Sequence, residues 1–582
     1  MPKLVFRRGT RRPRAIAWFG VRSFWGHLWH LAASVVATED IDSRDWMVPD
    51  APGALTARAA RVLGAAAEGP SLTEALGRDV WVDFVADTGD DAAVSFAVAK
   101  MLFATYAVED PEHPGRALTL PRGDLLVFGG DTAYPVATEL EIMRRVVVPF
   151  NAALRKTGDH GERPRVLLGV PGNHDWYAGL DGFGRMFRAR RGQVGRASRD
   201  EAAGDEHVPG NLRHFFHWME AFRVGSFVAK RPTLPLVGYE PVQSASYFAL
   251  RLAPGLDLFG ADRQLRSVDF QQRLYFAEAR SASSDKRPRG LLLVMADPAY
   301  AFLSPSAAGQ EILRALDVDL GRDAPLVLSG DTHHYCRQSF GRAVHVTAGG
   351  GGAFLHPAPI RRAHLPAPDA EFPGPRASLA LALQIPLQLA HGRAGLLGHA
   401  ALALLYLPTF ATELAEGASS AGAAGATGVV AAVVCALLGG FRARHAAGVV
   451  GLAAATGATL GALPLLAQAL EEPLAGVIGF RPYGPLGVVL PYALAVYAGA
   501  WVLGAFFMAL TVLGLEMHQA FGALAHPGYK HVVRLRVRRD GTRVDGWVLG
   551  QVDPLAKGEP VVLVDRFTWE NPAAGAPAGR TS

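Results

Sequence analysis

Five short runs of this 582-residue chain are almost wholly apolar and then break at Asp, Asn or His beside Gly or Pro. They are "WVDFVADTGD" (81–90), "GDLLVFGGDTAYP" (123–135), "LLGVPGNHDWY" (167–177), "GLLLVMADPAY" (290–300) and "APLVLSGDTHHY" (324–335). A continuous run rich in Val, Leu and Phe reads as a strand buried on both faces, and the Gly, Pro or Asn after it reads as a turn. The pattern predicts an α/β domain whose strand ends converge on one sheet edge, where such folds hold their reactive side chains. Past a Pro-rich linker, "HPAPIRRAHLPAPDAEFPGPR" (356–376), the pattern changes to uncharged runs at 394–412, 417–441, 446–470 and 482–515. Each approaches or exceeds the ~20 residues a helix needs to cross the hydrocarbon core, and their Gly and Ala content suits close helix packing in lipid. A shorter run, 377–392, is interrupted by Pro386 and reads as interfacial or re-entrant, or as a fifth span. After Leu515, apolar and basic positions alternate in "KHVVRLRVRRDGTRVDGWVLG" around Asp540-Gly541, the signature of a β-hairpin. It is expected to dock on the α/β domain or on the bilayer surface.

Composition sharpens this division. Half of the chain is apolar and only 19% is charged, a low figure that the C-terminal runs explain. Two cysteines, Cys336 and Cys435, cannot build a disulfide framework and point to a reducing compartment. The formal charge is +5 with no basic, aromatic-interleaved stripe, so no nucleic acid is expected as a partner. Trp18, Phe19, Trp25 and Trp29 recur at helical spacing among basic residues, while Arg22, His27 and His30 break any secretory core. That suits a helix on anionic headgroups or one packed on the catalytic domain; the insert 179–223, with "GRMFRARRGQVGR", adds basic charge toward the same surface. The expected organisation is a basic amphipathic segment (1–50), an α/β domain (51–357), a linker with a possible interfacial helix (358–393), about four transmembrane helices (394–515) and a β-rich tail (516–582). Basic residues at 441–445 and 529–539 oppose acidic breaks near 413–416 and 471–472. The positive-inside rule then puts both large soluble parts in the cytoplasm of a multi-pass cell (inner) membrane protein.

Carboxylate, amide oxygen and imidazole gathered at strand ends suit hard or borderline divalent metals. An Asp shared between two ions can hold them ~3.5–4 Å apart, and the ions lower the pKa of a bound water toward ~7 for attack on phosphorus. A nearby His can stabilise developing charge or protonate a leaving alkoxide.

The ordered series of an Asp turn, "GGD", "GNHD", an apolar strand with Pro, and "SGDTHH" resembles the calcineurin-like metallophosphoesterase superfamily. The resemblance covers roughly residues 80–357 and includes the Gly-rich "TAGGGGAFLHP" (347–357). It implies a two-sheet β-sandwich flanked by helices, with metals at the strand ends. It makes Asp87 a ligand of a first metal, Asp131 the bridge, Asn173 a ligand of the second, and His174 the phosphate-facing acid, oriented by Asp175. Three positions depart from the pattern: Asp87-Thr88-Gly89 lacks the Asp-x-His imidazole, Ala296 stands where the family has His before a Pro, and Asp331 replaces one imidazole of the closing Gly-His-x-His while His333 remains. Asp90, Asp297 and His334 are possible substitute ligands, and Tyr134 stands in place of a second acid. Such an oxygen-rich set favours Mn or Mg, with Fe or Zn as alternatives, at one or two ions per site. The expected activity is hydrolysis of a phosphate ester, on a lipid headgroup or a nucleotide. The alternative is a degenerate domain that binds phosphate or nucleotide in signalling or transport. Oligomeric state is left open.

Overall fold

The computed structural model describes residues 15–20, 47–110, 112–157, 163–189, 234–265, 267–281, 289–362, 364–416, 420–440, 446–479 and 485–574. Trp25 and Trp29, most of the 179–223 insert and the basic break 441–445 lie outside them.

Two seven-stranded sheets dominate the first domain. Their strands are β1 Val80–Val85, β2 Leu125–Gly129, β3 Arg165–Val170, β4 Tyr239–Pro241, β5 Phe248–Ala253, β6 Leu256–Ala261, β7 Gly290–Met295, β8 Leu326–Ser329, β9 Tyr335–Phe340, β10 Ala343–Ala348, β11 Ala370–Phe372, β12 Lys530–Val537, β13 Arg543–Gln551 and β14 Val562–Glu570. The first sheet runs β14-β13-β12-β1-β2-β3-β4 and the second β11-β9-β10-β8-β7-β6-β5. The strands that carry the five apolar runs pair in parallel with one another, β1 with β2, β2 with β3, and β7 with β8.

The apolar runs are continuous because both faces of each sheet are covered. Val82 and Phe84 of β1, Val127 of β2, Leu168 of β3, Val294 of β7 and Leu328 of β8 share one core between the sheets. Their neighbours Val85, Leu126, Phe128, Leu293 and Val327 turn the other way. There they meet Val98, Leu102 and Phe150 from the helices Ala92–Phe103 and Val148–Lys156, or Phe276 and Ile312 from Phe270–Ser281 and Ala307–Ala315. Each such fully buried Leu, Val or Phe contributes about 1.5–3 kcal/mol.

The hairpin signal at Asp540-Gly541 sits between β12 and β13, with Gly541 at φ +71° where a Cβ would be strained. These strands and β14 extend the first sheet, β12 lying antiparallel to β1 with Val82 opposite Leu535. Alternation along β12 puts Arg534 beside Asp83 on the outer face, both fully buried, with Arg534 Nε 2.6 Å from Asp83 Oδ1. The guanidinium also donates to the carbonyls of Leu102, Ala104 and Leu120. Every hydrogen of that buried cation therefore has an acceptor nearby, which is the condition under which a buried pair is tolerated.

Between β11 and β12 the chain is helical. Three helices, Ala421–Gly439, Ala446–Ala469 and Leu486–Leu513, are long and apolar enough to cross a membrane. About four were expected; Leu397–Glu416 has the length, but its two glutamates, Glu413 and Glu416, set it apart from the other three, two of which also carry an internal Pro. The 377–392 run folds as two short helices, Pro375–Ala382 and Ile385–Ala390, packed on Phe506 and Phe507 and too short to span. Leu404, Val429, Val433, Val450, Leu466, Val489 and Trp501 are exposed around the bundle, an apolar belt that lipid would cover. Ala421–Gly439 and Ala446–Ala469 touch at Gly428 and Gly457, where a Cβ on Gly457 would lie 2.5 Å from the Gly428 carbonyl oxygen.

Candidate functional site

The turns after β1, β2 and β8 deliver Asp87, Asp131 and Asp331, and all three adopt left-handed backbone, at φ +57°, +46° and +61°. Asp tolerates this region better than most residues, and such strain persists only where surrounding contacts over-determine it. Here they do. Asp87 N donates to Gly130 O (3.1 Å) and Thr88 N to Asp131 O (3.0 Å), stitching the first two turns together. Asp331 N donates to Asp87 Oδ2 at 2.9 Å and His174 N to Asp131 Oδ1 at 2.9 Å. Glycine is required at two flanking points: a Cβ on Gly172 would lie 2.1 Å from Asp131 Oδ1, and one on Gly349 2.5 Å from Asp87 Oδ2.

Asp87, Asp131, Asn173, Asp297 and Asp331 line one small pocket with Gly129, Gly130, Gly172 and Ala296. Asn173 donates Nδ2 to the Tyr177 hydroxyl (2.9 Å), which leaves its amide oxygen as a donor atom for a ligand. Asp297, expected as a substitute ligand, does reach the pocket, where Arg263 grips both its oxygens at 2.9 Å. His333 approaches from the side: Nε2 lies 3.6 Å from Asp87 Oδ1. Its Nδ1 is 2.8 Å from the Phe354 carbonyl, which can only accept, so Nδ1 carries the hydrogen and Nε2 presents a lone pair.

Three assignments need correction. Asp90 is not in the pocket; its Oδ1 accepts from Ile16 N at 2.7 Å and holds the N-terminal segment. His334 faces away and stacks on Phe302 at 5.6 Å, because adjacent residues at the turn after β8 diverge. Asp175 does not orient His174. Its buried carboxylate accepts from Gly172 N and Thr132 N, while His174 Nδ1 lies 2.6 Å from Pro135 O.

Tyr134 is the central residue. Its hydroxyl lies 3.0 Å from Asp87 Oδ1, 3.3 Å from Asp131 Oδ2 and 3.2 Å from His333 Nε2. One proton therefore serves three acceptors. Trp18 covers this point, with its ring edge-on to Tyr134 (5.8 Å), His174 (6.1 Å) and Phe354 (5.2 Å). Lys530, from β12, is fully buried behind it and donates to Ala353 O. The spacing of motifs gave no sign of Lys530 or Arg263; both reach the site only through strand pairing and loop packing.

Burial first, and then repulsion from neighbouring carboxylates (Asp131 and Asp331 acting on Asp87, Asp175 and Asp331 on Asp131), pushes Asp87 and Asp131 well above the usual carboxylate range. Asp331 rises to about 7, from burial and then Asp297, and Asp175 to about 6 from burial. Burial brings Lys530 down to about 8. Such a cluster keeps protons or takes up a cation. The sign of the pH effect follows. Between about pH 4, where unfolded carboxylates ionise, and pH 7, the folded state binds more protons than the unfolded state, so stability falls as pH rises. Thermal unfolding of metal-free protein should show that fall, and added divalent cation should reverse it most at the upper end. A rise in metal-free stability across this window would contradict the assignment.

Among the described residues, Asp110, Glu112 and His113 form the one group of at least three His, Cys, Asp or Glu donors lying within 4.8 Å of one another. It is superficial, and Glu112 is paired with Arg538 and Arg543. The pocket aspartates stand farther apart, around the Tyr134 hydroxyl.

No family model and no curated protein matches the chain. Among solved structures it is similar to "GAP50 the anchor in the inner membrane complex of Plasmodium", at 12% identity over 49% of this chain and 76% of that one, with a TM-score of 0.29. So loose a superposition carries no argument about fold or activity.

Proposed function

We propose that this chain is a membrane-anchored, metal-dependent phosphoric ester hydrolase of the calcineurin-like type that works with a single hard divalent cation. One observation carries the reading: three strained aspartates from separate strand ends converge with Asn173 and Asp297 on one pocket. The donor set fits such a cation, since buried carboxylates that repel one another lose that penalty when a dication replaces their protons. It fits one ion better than two, because the Tyr134 hydroxyl already engages Asp87, Asp131 and His333. Asp131, Asn173, Asp297 and Asp331 would hold the ion, Mn or Mg in preference to Zn.

When bound, the cation supplies Lewis acidity toward a phosphoryl oxygen. The chain's own residues do the rest. Arg263, held flat by Asp297 at the pocket, offers positive charge to a phosphate group. His174, whose Nδ1 lies 2.6 Å from Pro135 O, is the residue we assign to the leaving oxygen. Phosphate release from an aryl phosphate ester, assayed with Mn, Mg, Fe and Zn in turn, tests the reading; no turnover with any metal ends it.

A second reading, a domain that binds phosphate or nucleotide without cleaving it, is favoured by the Tyr134 hydroxyl and the Trp18 cover. Tyr134→Phe separates the two. In a single-ion hydrolase, freeing Asp87 and His333 tightens metal binding and raises turnover at limiting Mn. In a binding module, metal affinity rises and turnover stays absent.

Strand pairing also constrains the membrane topology. β12 and β1 are neighbours in one sheet, so the chain returns to the side it left and crosses an even number of times. With three long apolar helices, the remaining crossing falls to Leu397–Glu416, which packs on the last helix through Tyr492 Oη to Ala403 O (2.6 Å) and Phe410 against Tyr492. Both soluble parts then lie on one side of the membrane, which the positive-inside rule argues is the cytoplasm, and a substrate at headgroup level accounts for the tether. In intact cells, Glu472→Cys should react with an impermeant maleimide and Lys557→Cys only after permeabilisation. Equal labelling of both in intact cells would refute the arrangement.

A further inference from the structure

The end of the helical bundle farthest from the sheets buries polar chemistry that the phosphoesterase reading does not use. Glu413, on the Leu397–Glu416 helix, is 4% exposed, and Glu471, opening Glu471–Ile478, is 1% exposed. The two carboxyls approach closely enough to share a hydrogen bond. Between them and the preceding helix end lies Gln468, 7% exposed, whose Nε2 donates to Glu413 Oε2 at 2.8 Å and more weakly to Thr409 O at 3.4 Å.

The carboxamide oxygen of Gln468, although buried, has no hydrogen-bond partner among the described residues, and neither does the hydroxyl of Thr409, which is fully buried. Buried polar atoms of this kind are rare, because each stays desolvated without compensation unless something occupies it. Glu413 forms no ion pair with a described residue, and no Lys or Arg occurs among the described residues of 397–479 from Leu397 onward. Among the described residues the local inventory is thus two carboxyls, one amide oxygen and one hydroxyl. All are oxygen, the donor type of hard cations, and ionisable groups placed this way in membrane bundles mark ion or proton sites.

We propose that Glu413, Gln468 and Glu471 form a binding site for a small hard monovalent cation, Na⁺ in preference to K⁺, in exchange for a proton shared by the glutamates. One Na⁺ enters and one H⁺ leaves, so the charge of the site is conserved. The amide oxygen of Gln468 and the hydroxyl of Thr409 gain the partner they lack.

The test uses full-length protein in lipid nanodiscs. Tm is measured at neutral pH while NaCl replaces choline chloride at constant ionic strength, with KCl as the control. Wild type should gain stability with Na⁺ and less with K⁺, and Glu413→Gln should lose the response. Asp131→Asn should retain it, which separates this site from the pocket at the strand ends. In wild type alone, a hydrophobic carbodiimide should modify Glu413 or Glu471, and Na⁺ should protect them. That second readout stands even if Glu413→Gln folds poorly. A wild type indifferent to Na⁺ in both measurements, an equal response to K⁺, or a Na⁺ response that survives in folded Glu413→Gln overturns the proposal.

Discussion

Asp131→Ala is expected to lose its divalent metal and its turnover together. Asp131 is the carboxylate through which Tyr134, the His174 amide and the neighbouring aspartates are linked. Its removal takes a donor from the cation and lets the Gly172 turn relax, because His174 N loses its acceptor. A loss in kcat/KM of about 10³-fold or more, equivalent to roughly 4 kcal/mol of transition-state stabilisation, should accompany substoichiometric metal in the purified protein. The membrane helices should still insert, since no described contact joins Asp131 to them. Full metal content with unchanged turnover would end the hydrolase proposal. Metal loss in a protein whose wild type never turned over would leave the binding reading in place.

Arg534→Ala should be the most destabilising single change outside the pocket. It strands Asp83 as an uncompensated charge at 1% exposure and empties a volume that three carbonyls and a carboxylate had converged on. Breaking one side of a buried pair costs about 3–5 kcal/mol, a large share of the 5–15 kcal/mol typical of a whole domain. The damage should spread, because Arg534 holds β12 against β1 and the turn after β1 carries Asp87. Chemical denaturation should show the drop in midpoint. Asp83→Asn combined with Arg534→Met should recover part of it, because the second substitution removes the charge that the first leaves unpaired. If Arg534→Ala unfolds at the wild-type midpoint, β12 is not a structural part of the sheet.

The two expectations share a cause. β12 lies next to β1, and its Lys530 sits behind the pocket while Arg534 holds the register. A strand that follows the membrane helices by sequence is therefore a wall of the site at the strand ends. The N-terminal segment is placed in a similar way. Ala15 and Ile16 donate their amides to Asp91 and Asp90, Trp18 covers Tyr134, and Phe19 exchanges backbone hydrogen bonds with Ala394 and Leu397. One short stretch of chain thus joins the pocket mouth to the first helix of the bundle.

By itself the sequence determined the local elements. Runs such as "LLVFGGD" and "LVLSGD" specify buried strands that stop at a Gly-Asp turn, because apolar continuity and glycine placement act within a few residues. The uncharged Gly- and Ala-rich stretches specify helices on the same local grounds. The turn aspartates Asp87, Asp131 and Asp331 were legible as candidates for that reason. Only the tertiary structure decided which of their neighbours join them. Asp90, three residues after Asp87, and His334, next to His333, point elsewhere, since side chains leave a turn in different directions. Asp297 turns inward because Arg263, from the turn after β6, meets it there. Tyr134 reads as a lost acid in the sequence and becomes the hub of the pocket once its hydroxyl meets Asp87 and His333, which lie 47 and 199 residues away along the chain. The placement of β12 beside β1, with the buried pair Asp83–Arg534, joins residues 451 apart. No local pattern encodes such contacts; they exist because two sheets and a returning strand must bury their faces against one another at the same time.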